Sequence, residues 1–564
     1  MDALRSLARF LPWIACVLTT LFYVVEFNFV LPQLDGSSLQ ALLISAFEGS
    51  LAWLMFLVFL GLSLLGLYDL LQGRHAILRN YPVTGHLRFL FEYFRPEIRQ
   101  YLIEGDRDAV PFSRHQRALV YKRSKNLADT LAFGTIDTPY REGYEWLNHS
   151  NQPLPPPAIN TLRVMVGGKN CLQPYSLSLF NISAMSFGAL SANAIMALNK
   201  GAKLGQFAHD TGEGSISVYH ERYGGDLIWE IGTGYFGCRT AEGHFDPELF
   251  AKAANRDQVK MIEIKLSQGA KPGHGGLLPG DKVTPEIARA RGVPVGKDCH
   301  SPAAHSAFDS PLGLMHFIAQ LRQWSGGKPV GFKLCVGQII EWFAIVKAMQ
   351  VSGICPDFIV VDGSEGGTGA APVEYSDHIG MPLREGLQLV HATLVGAGLR
   401  DQIRVGASGK IISAFDVLRT CAMGADWVNS ARGFMFALGC IQSRSCNTDR
   451  CPTGVATQDP YRQHALDPTD KSQRVANFHA NTLKAVASLL GTVGVKTVEE
   501  FTPEHILRRN VTGQIETLSQ HLFKLEAGVL NTDAAAEALD RYAPDLSRFW
   551  REASPEQWHL LIAH

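Results

Sequence analysis

Phe358-Ile-Val-Val-Asp-Gly-Ser-Glu-Gly-Gly-Thr-Gly369 decides the fold. Apolar residues run up to Asp362 and give way at once to glycines. A short apolar run bounded by turn residues reads as a buried strand. Comparable runs precede it at Ser178–Ala184, Gln206–Thr211, Leu227–Ile231, Met261–Lys265 and Val330–Cys335, and follow it at Ile403–Gly406 and Trp427–Ser430. Helical patterns lie between several of them: Ser191–Leu204 (Ser191 as its cap), Gly313–Trp324, Ile339–Val351, Arg384–Val395 and Ala414–Met423. Alternating strands and helices mean a parallel sheet, and eight repeats favour an α/β fold of the closed (β/α)8 type, a TIM barrel. An open doubly wound sheet is the alternative.

The unusual residues fall at the carboxyl ends of these runs. They are Met185-Ser186-Phe187-Gly188, Thr211-Gly-Glu213-Gly-Ser215 and Gln268-Gly-Ala-Lys271-Pro-Gly, with Lys333 inside the fifth run. Beyond Asp362-Gly-Ser-Glu365-Gly-Gly-Thr-Gly369 come Gly406-Ala-Ser408-Gly-Lys410 and Asn429-Ser-Ala-Arg432-Gly433. In barrel enzymes this face carries the chemistry, and the loops after the last two strands often hold a phosphate. Gly-rich turns offer backbone N–H groups to an anion, and the helix starting near Ala414 adds its dipole. Asp362 either caps the next helix or serves the site. Gly232-Thr-Gly234-Tyr-Phe-Gly237 matches a dinucleotide fingerprint in letters only, because no helix start follows it.

Eight residues after Arg432 begins a run of three cysteines, Cys440, Cys446 and Cys451, spaced C-x5-C-x4-C. Clustered thiolates are soft ligands for iron–sulfur clusters or zinc. Three with no fourth nearby suggest a three-iron cluster, or a four-iron cluster lacking one protein ligand. Three unlinked buried thiols are the plain alternative. A phosphate site beside such a cluster calls for an electron carrier, and flavin mononucleotide (FMN) meets both demands.

The 564 residues carry a net charge of −1, so no basic excess points to nucleic acid. Ten cysteines over this length are no disulfide scaffold and argue for a reducing compartment. The start differs from the rest. Phe10–Pro32 is almost wholly apolar, broken by Glu26 and Asn28, and Leu51–Leu67 is apolar without a charge. A bilayer span takes about 20 such residues, so two transmembrane helices are expected; a signal peptide is the alternative for the first stretch, against which stand the lack of a small-residue cleavage site and the second span that follows at once. Arg5 and Arg9 precede the first stretch, Arg74, Arg79 and Arg88 follow the second, and Gln33–Gln40 carries no Lys or Arg. That asymmetry puts both ends in the cytoplasm: a multi-pass anchor in the cell (inner) membrane with the catalytic domain cytoplasmic. The expected organisation is a membrane anchor over 1–72, an extension over 73–170, the barrel with its cysteine loop over 171–460, and a C-terminal helical region over 461–564.

On these residues the chain resembles the synthase (FMN-binding) domain of glutamate synthase, and within that family its stand-alone, membrane-anchored members. The matching stretches are Asn181-Ile-Ser-Ala-Met-Ser-Phe-Gly-Ala-Leu-Ser191, Gln268-Gly-Ala-Lys-Pro-Gly273, Leu278-Pro-Gly-Asp-Lys-Val283, Gly366-Gly-Thr-Gly-Ala-Ala-Pro372, and Cys440 through Gln458. The resemblance covers roughly Gln100 to Leu525. It implies FMN beside a [3Fe-4S] cluster held by Cys440, Cys446 and Cys451. Met185 and Ser186 would pass along the flavin, and Gln268 and Lys333 would hydrogen-bond its ring. Gly366, Gly367, Ser408, Gly409, Arg432 and Gly433 would hold its phosphate side. Glu213, Lys271 and Arg291 match the 2-oxoglutarate pocket, with Lys333, Glu213 and Lys271 as the catalytic set.

The implied activity reduces 2-iminoglutarate, formed from 2-oxoglutarate and ammonia or an amine donor, to L-glutamate. The electron donor would be ferredoxin, a separate reductase or quinol. The chain departs from the pattern at Gly273-His274-Gly-Gly-Leu277, at Ser301-Pro-Ala-Ala-His305, and in starting Met1-Asp2 with no glutaminase domain expected on this chain. An FMN oxidoreductase for another amino or hydroxy acid, coupled to membrane quinone, is the rival. A non-catalytic electron-transfer subunit is another.

Overall fold

The structure, a computed structural model, describes residues 9–26, 39–73, 75–105, 107 and 111–558, with backbone alone for 39–48 and 96. Arg5, Arg74 and most of the segment joining the two apolar stretches lie outside these residues. The chain divides into two compact units after Gly105.

In the first unit, Leu11–Val25 and Leu39–Leu71 are helices. Gly49–Leu71 gives 23 residues long and apolar enough to cross a membrane. The first stretch is helical for 15 residues, short of the roughly 20 a span needs; its expected continuation over 27–32 lies outside the described residues. Trp13 Nε1 donates to the Ser63 carbonyl at 3.0 Å, and Thr20 and Ser63 hydroxyls meet at 3.1 Å. Gly66 makes that approach possible, since a Cβ there would strike the Trp13 ring. Asp69 is fully buried, and accepts from Val83 N at 3.0 Å and faces His86 Nε2 at 2.9 Å.

The second unit is a closed barrel of eight parallel strands. They are β1 (Phe180–Ile182), β2 (His209–Asp210), β3 (Leu227–Ile231), β4 (Val259–Lys265), β5 (Val330–Leu334), β6 (Phe358–Asp362), β7 (Arg404–Ser408) and β8 (Trp427–Ser430). Each pairs with the next in sequence, and β8 closes on β1. The expected barrel stands and the open sheet does not. The helices start where hydroxyls offer caps: Ser191 accepts from Ala194 N, Ser310 from Gly313 N, and Ser413 forms a reciprocal pair with Asp416.

Alternate residues of a strand share a face, so the barrel fills in layers. At its amino-terminal end Ile228, Met261, Phe358, Val360 and Trp427 form one apolar cluster, joined by Val166 and Leu177 of the hairpin Arg163–Val166/Tyr175–Ser178. The next layer is charged: Asp210, Glu230, Glu263 and Lys333, all buried. With the bottom plugged, the carboxyl end is left for a site. Outside, helix Pro468–Val493 packs along helix Ala192–Gly205. The C-terminal region is not helical throughout: Ile506–Arg509 and Ile515–Thr517 join Glu145–Leu147 in an antiparallel sheet.

Candidate active site

Two cavities open at the carboxyl ends of the strands, and Gln268 lines both. The larger is walled by Gln268, Lys333, Asp362, Gly366, Gly367, Ser408, Gly409, Lys410, Asn429 and Arg432, and Phe112 also lines it. Asp362 ties its walls together. One carboxylate oxygen accepts from Gly269 N at 2.7 Å, and the other accepts the Ser408 hydroxyl. It therefore serves the site and caps no helix.

Arg432 donates to the Glu365 carbonyl at 2.8 Å and lies 4.6 Å from the Phe112 ring centre. Burial pushes its pKa down to about 10, against the pull of Asp362 and Glu365. Lys410 is lowered too, by burial and by Arg432. Two cations that destabilise each other are what an anion relieves. A Cβ on Gly367 would stand 2.7 Å from Arg432 Nε, so the glycine keeps that guanidinium accessible from the cavity. The donor set fits the phosphate of the flavin that the resemblance implies.

The smaller cavity is lined by Glu213, Thr233, Lys265, Gln268, Lys271 and the turn Gly273–Gly276. Glu213 pairs with Lys265 Nζ at 3.0 Å. Burial raises the Glu213 pKa, but Lys265, Arg291 and Lys271 outweigh it and hold the carboxyl below its usual range. Burial lowers Lys271, with Glu213 opposing. One carboxylate among three cations leaves surplus positive charge, which suits a dicarboxylate. His305, half-buried and lowered to about 4 by desolvation, hydrogen-bonds the Lys265 carbonyl through Nε2 at 2.9 Å and Tyr235 Oη through Nδ1 at 3.0 Å. It positions β4 and stays neutral at pH 7. His274 is exposed at the mouth, edge-on to Tyr375.

The three cysteines are free thiols on one loop and feel one another electrostatically. Burial pushes Cys440 up to about 12 and also raises Cys446. Burial works upward on Cys451 as well, but N–H donors from Ala456, Thr453 and Val455 bring it below its usual value. Gln442 N points at Cys440 Sγ at 3.4 Å. Gln442, Arg444 and Asp449 take left-handed φ of 60–61° to wrap the loop. Backbone donors aimed at sulfur fit a cluster of thiolates. Lys282, buried, donates to the carbonyls of Cys446 at 3.0 Å, Ala456 at 3.1 Å and Ala189 at 3.4 Å. It thereby ties the loop after the smaller cavity to the cysteine loop. Phe112 joins the cysteine loop to the larger cavity: its backbone exchanges hydrogen bonds with the Gln442 side chain.

Most residues expected at the site gather there. Met185 and Ser186 do not line the larger cavity; Ser183 and Ala184 do, because β1 ends at Ile182. Gly433 sits inside helix Arg432–Leu438, where a Cβ would meet Ser430 and Phe478, and Ser430 and Ala431 line the cavity instead. Arg291 stands behind the smaller cavity, its guanidinium donating to the Phe187 carbonyl at 3.1 Å and stacking on Phe236. Gly232–Gly237 leads into turns, and the next helix begins only at Pro247. Phe112 and Lys410 are lining residues that no sequence reading singled out for the site. Lys410 was visible as the end of a Gly-rich turn; Phe112 had no signal.

Residues 160–496 match the conserved region in glutamate synthase. The chain is 37% identical over 486 residues to the glutamate synthase large subunit-like protein YerD of Bacillus subtilis, covering 79% of this chain and 92% of that one. It is 36% identical over 323 residues to the archaeal glutamate synthase [NADPH] of Methanocaldococcus jannaschii, covering 57% of this chain and 60% of that one. Against the glutamate synthase [NADPH] large chain of Bacillus subtilis, identity is 32% over 355 residues, 61% of this chain but 21% of that one. The chain thus spans nearly all of YerD but less than two thirds of these other two relatives. Through its conserved region and its match to YerD, the chain belongs to the glutamate synthase family of oxidoreductases.

Proposed function

We propose that the chain is an FMN-dependent, membrane-anchored oxidoreductase that reduces the imine of 2-oxoglutarate and ammonia to L-glutamate. One observation carries the reading: the phosphate-suited cavity and the dicarboxylate-suited cavity share Gln268 in their linings. FMN, when bound, supplies a hydride to the substrate carbon. Lys410, Arg432 and the glycines 366, 367 and 409 hold its phosphate, and Lys333 faces its ring. Lys265 and Lys271 bind the keto acid's carboxylates, and Glu213 orients those two ammonium groups. Cys440, Cys446 and Cys451 would hold a [3Fe-4S] cluster, which would supply one-electron transfer from a donor.

Anaerobic purification in mild detergent tests the cofactors: flavin as FMN, with iron and acid-labile sulfide, is expected. Reduced protein is then mixed with keto acids, with and without ammonium. Reoxidation by 2-oxoglutarate only when ammonium is present is the expected result. Reoxidation by a different keto acid would move the substrate, and zinc in place of iron would remove the cluster.

Lys271→Ala is expected to leave flavin content unchanged and to weaken keto-acid binding. Losing one charge-assisted pair costs about 1.5–3 kcal/mol, roughly ten- to hundredfold in affinity. Loss of flavin with unaltered keto-acid affinity would reverse the assignment of the two cavities.

The anchor reading is supported by helix Gly49–Leu71 and by the exposed Leu87, Phe91, Tyr93 and Leu102 in the helical stretch after it. Arg88, Arg95 and Arg99 interleave with them, a composition suited to an anionic membrane surface. A fluorescent fusion at the C-terminus should be bright in the cytoplasm, and Ser37→Cys should label from outside intact cells. A dark fusion would place the barrel on the other side.

A further inference from the structure

We propose that Asp210, Glu230 and Glu263 form a carboxyl site inside the barrel that stores one proton beneath the larger cavity, exchanging it as charge comes and goes above Lys333. The inference rests on the flavin reading for its consequence, but not for its existence. One oxygen from each of the three carboxyl groups lies within 4.8 Å of the other two. Asp210 comes from β2, Glu230 from β3 and Glu263 from β4, with Glu230 and Glu263 paired in register. All three are at most 2% exposed.

Among the described residues a single cation pairs with them. Lys333 Nζ contacts Glu230 closely and Glu263 Oε1 at 3.2 Å. With that ammonium already held against two of the three carboxyls, the further cation argued for this site is a proton. Three carboxylates and one ammonium would leave two uncompensated buried charges. Like charges this close in a dry site do not all ionise. Glu263 is the least satisfied of the three: Lys333 Nζ lies 3.2 Å from Oε1, and Oε2, buried, accepts from no other group among the described residues. Asp210, by contrast, accepts from Gly212 N at 3.0 Å.

The charged groups facing the site are Asp210 on β2, Glu230 on β3, Glu263 on β4, Lys333 on β5 and, above it, Asp362 on β6. Burial raises Glu263 well above the carboxylate range, with Asp210 and Glu230 adding and Lys333 opposing. Burial and then Glu230 push Asp210 up to about 7. Both shifts run the same way, so the cluster favours holding a proton at neutral pH.

Lys333 also lines the larger cavity, so one ammonium touches both sites. Negative charge arriving in the cavity competes for that ammonium, and the carboxyl site then gains affinity for a proton. Two electrons from an external reductant are accompanied by two protons from water, one to the flavin and one to the carboxyls. On reoxidation a hydride leaves to the imine carbon, and the carboxyl site gives up a proton, the amount the imine nitrogen requires.

The test is the pH dependence of the flavin midpoint potential, with infrared difference spectra of reduced minus oxidised protein. The wild type should take two protons per two electrons while absorption shows the reduced flavin to be anionic, with a protonated-carboxyl band in the difference spectrum. Glu263→Gln should halve the slope and remove the band, and Asp210→Asn provides a second isosteric variant. Equal slopes in wild type and both variants, or no carboxyl band, would overturn the proposal. If the protein binds no flavin, the cofactor reading fails instead. The flavin-free protein should still show a buried carboxyl titrating near neutral pH, absent in Asp210→Asn; if it shows none, the proton site fails.

Discussion

Lys333→Met is expected to cost about 3–5 kcal/mol of stability, the usual loss when one partner of a buried ion pair is removed. The cost should depend on pH in a set direction. Glu230, Glu263 and Asp210 outweigh burial and hold the Lys333 pKa well above its usual value. Its contribution is therefore present below the unfolded lysine value of about 10.4 and lost above it. The carboxyls have the opposite need. Asp210 and Glu263 are raised by burial, so their folded forms favour protons, and stability falls as pH rises from the unfolded range near 4. Without Lys333 nothing offsets that fall. The deficit relative to wild type should thus grow between about pH 4 and pH 7 and stay large to about pH 10. Denaturant midpoints measured in detergent across that range decide it. A deficit that does not change with pH would mean that Lys333 acts by packing and not by charge.

The same residues show what a sequence conceals. β3, β6 and β8 have the bounds expected of them because each apolar run stops at a glycine, a polar turn residue or an alanine–arginine break. β2 is shorter than expected. Gln206 ends the preceding helix in a left-handed conformation, so pairing starts only at His209. That β1 stops at Ile182, not Ala184, moves the lining residues from Met185 and Ser186 back to Ser183 and Ala184. Glu213, Lys271 and Arg432 were legible because charge in a Gly-rich turn at a strand's end has few structural uses. Glu230 and Glu263 were not. A glutamate alternating with apolar residues in a strand ordinarily faces water, and only barrel closure turns this face inward. Phe112 lies far ahead of the barrel with no periodic pattern to mark it. The pairing of its backbone with Gln442 comes from tertiary packing alone.

Cys446→Ser should abolish turnover driven by a one-electron donor such as reduced ferredoxin, and leave the flavin half-reaction intact. Helix Arg432–Leu438 carries the chain from the phosphate side of the larger cavity to Cys440. Eight residues at 1.5 Å each amount to a rise of about 12 Å, so the cysteine loop lies close to the flavin cavity. Phe112 and Lys282 hold it there, one against the cavity and Gln442, the other against the Cys446 and Ala456 carbonyls. These contacts use the Gln442 side chain and the Cys446 and Ala456 carbonyls, none of them the Cys446 thiol, so a serine at 446 removes a ligand without removing the loop's anchors. Iron content should drop while flavin content holds. Protein photoreduced at its flavin should then be reoxidised by 2-oxoglutarate and ammonium at the wild-type rate. Full donor-driven turnover in Cys446→Ser would mean that electrons reach the flavin without passing the cysteines. Failure of the photoreduced half-reaction would mean instead that the loop supports the cavity itself, and that its thiols shape the site more than they conduct.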